Sequence, residues 1–159
     1  MVRLSKLTDY GMVLMSCFAR GPAGSLHTAR ELAAESKLPL PTVSKVLKEL
    51  LQSGLLVSHR GIQGGYRLAK EPDHISLVEI ISALEGPLAL TECSTNVAGL
   101  CELETCCSIK KNQQIISRAV RGVLAKLTLL DLTQPMRLTA IQTPEGNLVP
   151  AIRVTGRIQ

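Results

Sequence analysis

Thr28-Ala29-Arg30-Glu31-Leu32-Ala33-Ala34-Glu35-Ser36-Lys37-Leu38-Pro39-Leu40-Pro41-Thr42-Val43-Ser44-Lys45-Val46-Leu47-Lys48-Glu49-Leu50-Leu51-Gln52-Ser53-Gly54 is the stretch that decides the fold. Thr28 followed three residues later by Glu31 is a capping-box pattern, which predicts a helix from Ala29 to about Ser36. Lys37-Leu38 makes a tight turn. A further helix opens near Pro39 or Leu40, where a proline in the first turn costs no hydrogen bond. Val43, Val46, Leu47, Leu50 and Leu51 share one face of it, and Gly54 closes it. Two short helices joined by a turn of three to four residues, the second opening with small polar residues, form a helix-turn-helix. Pro41, Thr42, Ser44, Lys45 and Lys48 are left outward, where side chains reach phosphates and base edges. Many small bundles share this spacing, so the stretch alone leaves a plain bundle open.

The residues that follow favour a nucleic-acid reader. Leu55-Leu56-Val57-Ser58 is extended and apolar, His59 to Gly65 is a glycine-rich turn, and Tyr66-Arg67-Leu68-Ala69 alternates as a returning strand. A β-hairpin directly after a helix-turn-helix makes a winged helix. Arg60 at its tip is placed to enter a narrow, electronegative minor groove, against the plainer reading of a solvated hairpin arginine. Thr28 and Tyr66 join the candidate contacts at the root of this face.

On the N-terminal side, residues 4–19 repeat Leu4, Leu7, Gly11, Leu14 and Phe18 at helical spacing, and Gly21 to Gly24 ends that helix. At ~100° per residue Asp9 points away from the apolar stripe, which by default makes it a solvated aspartate. On the C-terminal side, Ser76 and Glu79 cap a short helix over 76–85, stopped by Gly86-Pro87. From about Ser108 a long helix is predicted to near Leu130. Ile116, Val120, Val123, Leu127 and Leu130 are spaced 4-3-4-3 along it, the pattern of a coiled-coil seam, which reads as a dimerisation helix. The tail beyond Leu132 holds two β-prone runs, 137–143 and 148–154, around Pro144-Glu145-Gly146-Asn147. It reads either as a hairpin or as a disordered arm.

Charge is divided along the chain. The net charge is +5. Residues 1–70 hold ten Lys or Arg against four acids, whereas 71–109 hold seven acids and no Lys or Arg. The basic face for a polyanion therefore belongs to the first half. No apolar run approaches the ~20 residues that span a bilayer, and no signal peptide is legible, so a cytoplasmic protein with no membrane contact is expected. In that compartment clustered cysteines bind metal or do redox work more often than they form structural disulfides.

Cys93, Cys101, Cys106 and Cys107 form such a cluster. Thiolates suit zinc, copper(I) or iron–sulfur clusters. The paired C-x2-C knuckles of zinc sites are absent, and adjacent Cys106 and Cys107 fit one small ion poorly. An iron–sulfur cluster takes four ligands, of which Cys93, Cys101 and Cys107 supply three. The competing reading is a set of free or redox-active thiols without metal. No nucleotide loop, substrate-cleft signature or nucleophile–base pair is present, so an enzyme is not expected.

The sequence resembles the Rrf-type bacterial transcription regulators, which include iron–sulfur assembly regulators of the IscR kind and nitric-oxide-responsive repressors of the NsrR kind. Three motifs carry the resemblance over roughly residues 1–131: Leu4-Ser5-Lys6-Leu7-Thr8-Asp9-Tyr10-Gly11, Arg60-Gly61-Ile62-Gln63-Gly64-Gly65-Tyr66-Arg67-Leu68, and Cys93, Cys101 and Cys107. It looks most like regulators of the SUF cluster-assembly operon. The resemblance implies a mainly α, homodimeric winged helix-turn-helix repressor with a long C-terminal dimerisation helix. Such a dimer binds an inverted repeat in double-stranded DNA and holds an iron–sulfur cluster, 2Fe-2S in preference to 4Fe-4S. The parts are a DNA-binding domain over 1–85, a cluster loop over 86–107, a dimerisation helix over 108–131 and an extension over 132–159. Regulators of the IscR kind place a histidine three residues after the last loop cysteine, where this chain has Lys110. The resemblance to the NsrR kind, with its Thr-Asp context, offers Asp9 of the partner subunit as the fourth ligand, ahead of Cys106. Signals other than cluster supply, nitric oxide or peroxide among them, and a metal-free thiol switch are the alternatives.

Overall fold

The computed structural model describes residues 4–95, 97, 99–103, 105–142 and 147–154. Helix α1 runs Lys6–Arg20, α2 Ala29–Ser36 and α3 Leu40–Gln52. Strands β1 (Leu56–His59) and β2 (Gly65–Leu68) follow, then α4 (Leu77–Glu85). Helices α5 (Lys110–Lys126) and α6 (Leu129–Leu132) come next, and strands β3 (Met136–Gln142) and β4 (Leu148–Val154) close the described chain. The protein is mainly helical with two small antiparallel sheets, a winged helix-turn-helix continued by a long helix.

Local chemistry starts and stops most of these elements. The Ser5 side chain accepts from the Thr8 amide at the head of α1. Thr28 with Glu31, and Ser76 with Glu79, form complete capping boxes at α2 and α4. At the end of α3 the Gly54 amide donates to the Leu51 carbonyl and the Leu55 amide to the Leu50 carbonyl. Gly54 has φ +76°, so this is a Schellman ending that a side chain at that position would strain. Leu50 and Leu55 are both buried, which adds the apolar contact that accompanies the motif.

The core lies where α1, α2, α3 and α4 meet. Leu14, Met15, Leu32, Val43, Val46, Leu47, Leu50, Ile75, Ile80 and Leu129 have no exposed surface. None is aromatic, in keeping with a chain that has a single Phe and no Trp. At ~25 cal/mol per Å2 each such side chain contributes roughly 1.5–3 kcal/mol. Two further hydrogen bonds tie the ends of helices together. The Ser5 amide and the Thr8 hydroxyl both donate to Glu85 Oε1, at 2.5 and 2.7 Å, fastening the start of α1 to the end of α4.

The long helix is shorter than its apolar spacing predicts. The expected helix over 108–131 begins at Lys110 and ends at Lys126. Leu127 is extended, with φ −90° and ψ 130°. There the Leu77 amide donates to the Leu127 carbonyl (2.8 Å), and the Leu129 amide donates to the Ile75 carbonyl (2.7 Å). Pairing with residues 75–77 outweighs one more helical turn, and Thr128 with Asp131 forms a third capping box that starts α6. Leu127 and Leu129 thereby join the core rather than a seam. The tail pairs β3 with β4, Leu138 opposite Ile152 and Ala140 opposite Pro150. The turn expected at Pro144-Glu145-Gly146 lies outside the described residues.

Candidate nucleic-acid interface and thiol loop

Helix α3 buries Val43, Val46, Leu47 and Leu50 and so turns its other side outward. Pro41, Ser44, Lys45 and Lys48 are exposed on it, and Thr42 is half-buried. The turn before α3 is compact because Lys37 adopts the left-handed conformation, φ 56°. The face is thus a run of short polar groups followed by two lysines one turn apart, with Glu49 its only acid.

The wing is anchored to this face through the main chain. The His27 amide donates to the Tyr66 carbonyl and the Tyr66 amide to the His27 carbonyl, both at 2.9 Å. The segment before α2 therefore pairs with β2 and fixes the hairpin against the helix-turn-helix. A Cβ on Gly65 would sit 2.8 Å from the His27 carbonyl oxygen, so glycine allows this approach. Tyr66 is half-buried against the core. The Thr28 hydroxyl accepts from the Glu31 amide and donates to Glu31 Oε2, and is engaged in its cap. The hydrogen bonds from the Thr28 amide and then its hydroxyl hold the Glu31 carboxyl below the usual range. Arg60 is exposed at the tip.

Two further wing residues escaped sequence reasoning. Ile62 is fully exposed at the tip, an apolar group raised between glycines. Arg67 Nε donates to His59 Nε2 at 2.9 Å across the hairpin, toward its tip. The only signal for that pair is the register, which sets His59 opposite Gly65 and diagonal to Arg67.

The thiol loop is strapped at its start and open beyond. Cys93 lies in a short 3-10 turn, Glu92–Ser94. Gln114 Nε2 donates to the Cys93 carbonyl (3.0 Å), and the Leu90 amide donates to Ser117 Oγ (2.9 Å), so residues 90–93 are held to α5. The Thr91 hydroxyl is 3.3 Å from Cys93 Sγ. Cys93, Cys101 and Cys107 are half-buried, Cys106 is exposed, and none of the five cysteines is in a disulfide. Cys17 is apart from them, buried in α1, where burial first and Glu35 second push its thiol up to about 11. It is held as an unreactive thiol. Asp9 is exposed on α1, on the side away from the core.

The donor chemistry suits an iron–sulfur cluster, since three soft thiols fall within one loop. The conformation does not gather them. Among the described residues, no three His, Cys, Asp or Glu side chains lie close enough together to hold a metal ion.

Residues 4–135 match the family model of Rrf2, described as an iron-dependent transcriptional regulator. The chain belongs to the Rrf2 family. It is 31% identical over 131 residues to the HTH-type transcriptional regulator NsrR of Shouchella clausii, covering 82% of this chain and 88% of that protein. Among solved structures it is similar to CymR (YrzC), the global cysteine regulator of B. subtilis. That match has a TM-score of 0.66 and 30% identity, over 84% of this chain and 97% of the other. It is also similar to T. potens IscR, with a TM-score of 0.59 and 28% identity, over 82% and 85% of the two chains. The Rrf2 protein described here is accordingly a DNA-binding transcriptional regulator, and its relatives are regulators rather than enzymes. The family match ends one residue before β3, so the C-terminal hairpin lies beyond it. Among the described residues no helix is long and apolar enough to cross a membrane.

Proposed function

We propose that this regulator works as a homodimer that reads an inverted-repeat operator and represses iron–sulfur cluster assembly genes, with the thiol loop as its sensor. One observation carries the reading: the loop is bounded by two fixed points. Before it, α4 is clamped to α1 through Glu85, and at its start residues 90–93 are strapped to α5. A change of order in the loop is therefore felt on both sides, by the winged helix and by the helix that carries the exposed apolar stripe Ile116, Val120 and Val123. The description of the family as iron-dependent supports the choice of signal.

Cys93, Cys101 and Cys107 would hold the cluster, with Asp9 of the partner subunit as the fourth ligand and Cys106 as the alternative. When bound, the cluster, 2Fe-2S in this reading, supplies an oxidant-labile cross-link between thiols. The rest is the work of the chain. Lys45, Lys48 and Arg60 neutralise phosphates, Thr42 and Ser44 face base edges from the major groove, and the wing lies along the minor groove. Ordering the loop shifts the population between dimers whose two reading heads match the operator spacing and dimers whose heads do not.

A second reading keeps the fold and removes the metal. The separation of the donors among the described residues, together with the likeness to a cysteine regulator, favours a thiol switch. Anaerobic purification separates the two. Iron and sulfide in the protein, with a visible absorption band lost on exposure to oxygen or nitric oxide, support the cluster. A colourless, iron-free protein whose operator binding responds to thiol oxidation supports the switch. If Asp9→Ala leaves the spectrum and lifetime of the cluster unchanged while Cys106→Ala alters both, the fourth ligand is Cys106.

A further inference from the structure

Between residues 88–95 and α5 lies an open cleft of about 320 Å3. Its floor is the strap already described: Gln114 and Ser117 reach across to the Cys93 carbonyl and the Leu90 amide. Ser117 is the one buried residue of α5. Above that floor stand Arg118 and Arg121, with the hydroxyl-bearing Ser94 and Thr95 on the facing wall. Arg118 Nε donates to the Gln114 carbonyl of its own helix (3.4 Å). Among the described residues neither guanidinium meets a carboxylate within salt-bridge distance. The Thr95 hydroxyl donates to the main-chain carbonyl of Glu92, not to its carboxylate.

Two unmatched guanidiniums three residues apart project from one face of a helix, about 5–6 Å apart at Cβ. Guanidinium is a planar fork of donors matched to carboxylate and phosphate oxygens. The volume is at the low end of small-molecule clefts, enough for a few heavy atoms and too shallow for a cofactor of nucleotide size. The cleft is also independent of the apolar stripe. At ~100° per residue Gln114, Ser117, Arg118 and Arg121 lie on roughly the opposite side of α5 from Ile116, Val120 and Val123. A partner packed on that stripe leaves the cleft open to solvent.

We infer that this cleft is a binding site for a small oxyanion, a dicarboxylate or a phosphate-bearing molecule, gripped by Arg118 and Arg121, with Ser94 and Thr95, whose hydroxyls are bonded to the Thr91 hydroxyl and the Glu92 carbonyl, walling the facing side. Ser94 and Thr95 directly follow Cys93, so an occupant bridges the start of the thiol loop to α5 and stiffens the strap that Gln114 and Ser117 begin. The site gives the regulator an input of metabolite chemistry beside the thiols, and its existence does not depend on what the thiols bind.

The test is amide chemical-shift titration of the full-length, 15N-labelled protein with inorganic phosphate and, separately, with succinate, at an ionic strength held constant by sodium chloride. The expected result is a saturable shift of amides in 90–95 and 114–121 with one or both anions. Which anion binds more tightly distinguishes the phosphate from the dicarboxylate source. Affinity should fall about tenfold or more in Arg118→Gln/Arg121→Gln and in the single variant Arg121→Gln, and stay unchanged in Lys45→Ala/Lys48→Ala. Among the described residues Arg121→Gln breaks no hydrogen bond, and the amide spectrum of the variant shows directly whether it is folded. Shifts that are linear, that survive both arginine variants, or that fall only on α3 and the wing would overturn the inference.

Discussion

Helices α1 and α5 are of similar length and opposite in character. In α1, fifteen residues include seven that are buried, and Ser5 caps the first turn. In α5, seventeen residues include one that is buried, and no side chain caps its start. Ile115, Ile116, Val120 and Val123 on α5 are 58%, 50%, 38% and 52% exposed. Isolated helices of this length are marginal in water, and among the described residues the chain covers α1 far more fully than α5. A bundle folded for its own sake would not leave its longest helix this bare. The difference separates what the protein needs in order to fold from what it needs in order to act.

The largest expected effect probes the folded side. Leu47→Ala on α3, at a fully buried position, should cost about 2–5 kcal/mol in a urea melt, whereas Ile116→Ala in dilute protein should cost far less. Equal losses would erase the contrast. Next, Ile116→Asp/Val120→Asp should shift sedimentation from dimer to monomer and lower helical circular dichroism, while amides of α1 and α3 keep their protection from exchange. An unchanged sedimentation coefficient would mean that the stripe is not the contact between copies. On the reading face, Lys45→Ala/Lys48→Ala should lower the dependence of log affinity on log salt by about two per bound subunit, about four for a dimer, with the melting temperature unmoved. Removing a cap is smaller: Ser76→Ala should cost about 1 kcal/mol.

The smallest effect is a dependence on pH. Hydrogen bonds from the Thr8 hydroxyl first, and the Ser5 amide second, hold the Glu85 carboxyl below its ordinary 4.5. A carboxylate whose folded pKa is depressed contributes its stability above the unfolded value and loses it as pH falls through the folded one. Stability should therefore decline below about pH 4.5 more steeply in the native chain than in Glu85→Gln. Glu85 is exposed, so the difference is small and shrinks with added salt.

Much of the winged helix was legible because its signals are local. Thr28 with Glu31, Ser76 with Glu79, and Gly54 state where helices begin and end, and the structure follows them closely. The end of α5 was not legible, because it is decided by hydrogen bonds to residues 75–77, some fifty positions away. Spacing of 4-3-4-3 continues through Leu127 and Leu130 whether or not the backbone does. A trace was present in Thr128 and Asp131, whose capping box announces a new helix inside the apparent old one. Of the candidate DNA contacts, Ser44, Lys45 and Lys48 fall on the exposed face that periodicity assigns, and Arg60 is exposed at the hairpin tip. Thr28 and Tyr66 carry structural duties as well: Thr28 is locked in the cap that its spacing to Glu31 announces, whereas the pairing of Tyr66 with His27 has no local signal. The cysteine loop has no periodicity, so its spacing states which donors are available and not how they approach one another. The arginine cleft draws on residues from two segments separated by the thiol loop, which no local pattern brings together.

The hydrogen bonds that end α5 also bear on where this protein can be divided. Leu129 is fully buried in the winged-helix core, and Asp131 is 2% exposed beside it. The reading head is closed by residues that come after the thiol loop and after the whole of α5. A chain cut at residue 85 keeps every element of the wing and the helix-turn-helix, yet it opens a hole where Leu129 sat and strands the Leu77 amide and the Ile75 carbonyl. The thiol loop and α5 are thus an insertion within the winged helix, not an appendage to it. The winged-helix core is complete only with Leu129, held in place by the capping box of α6.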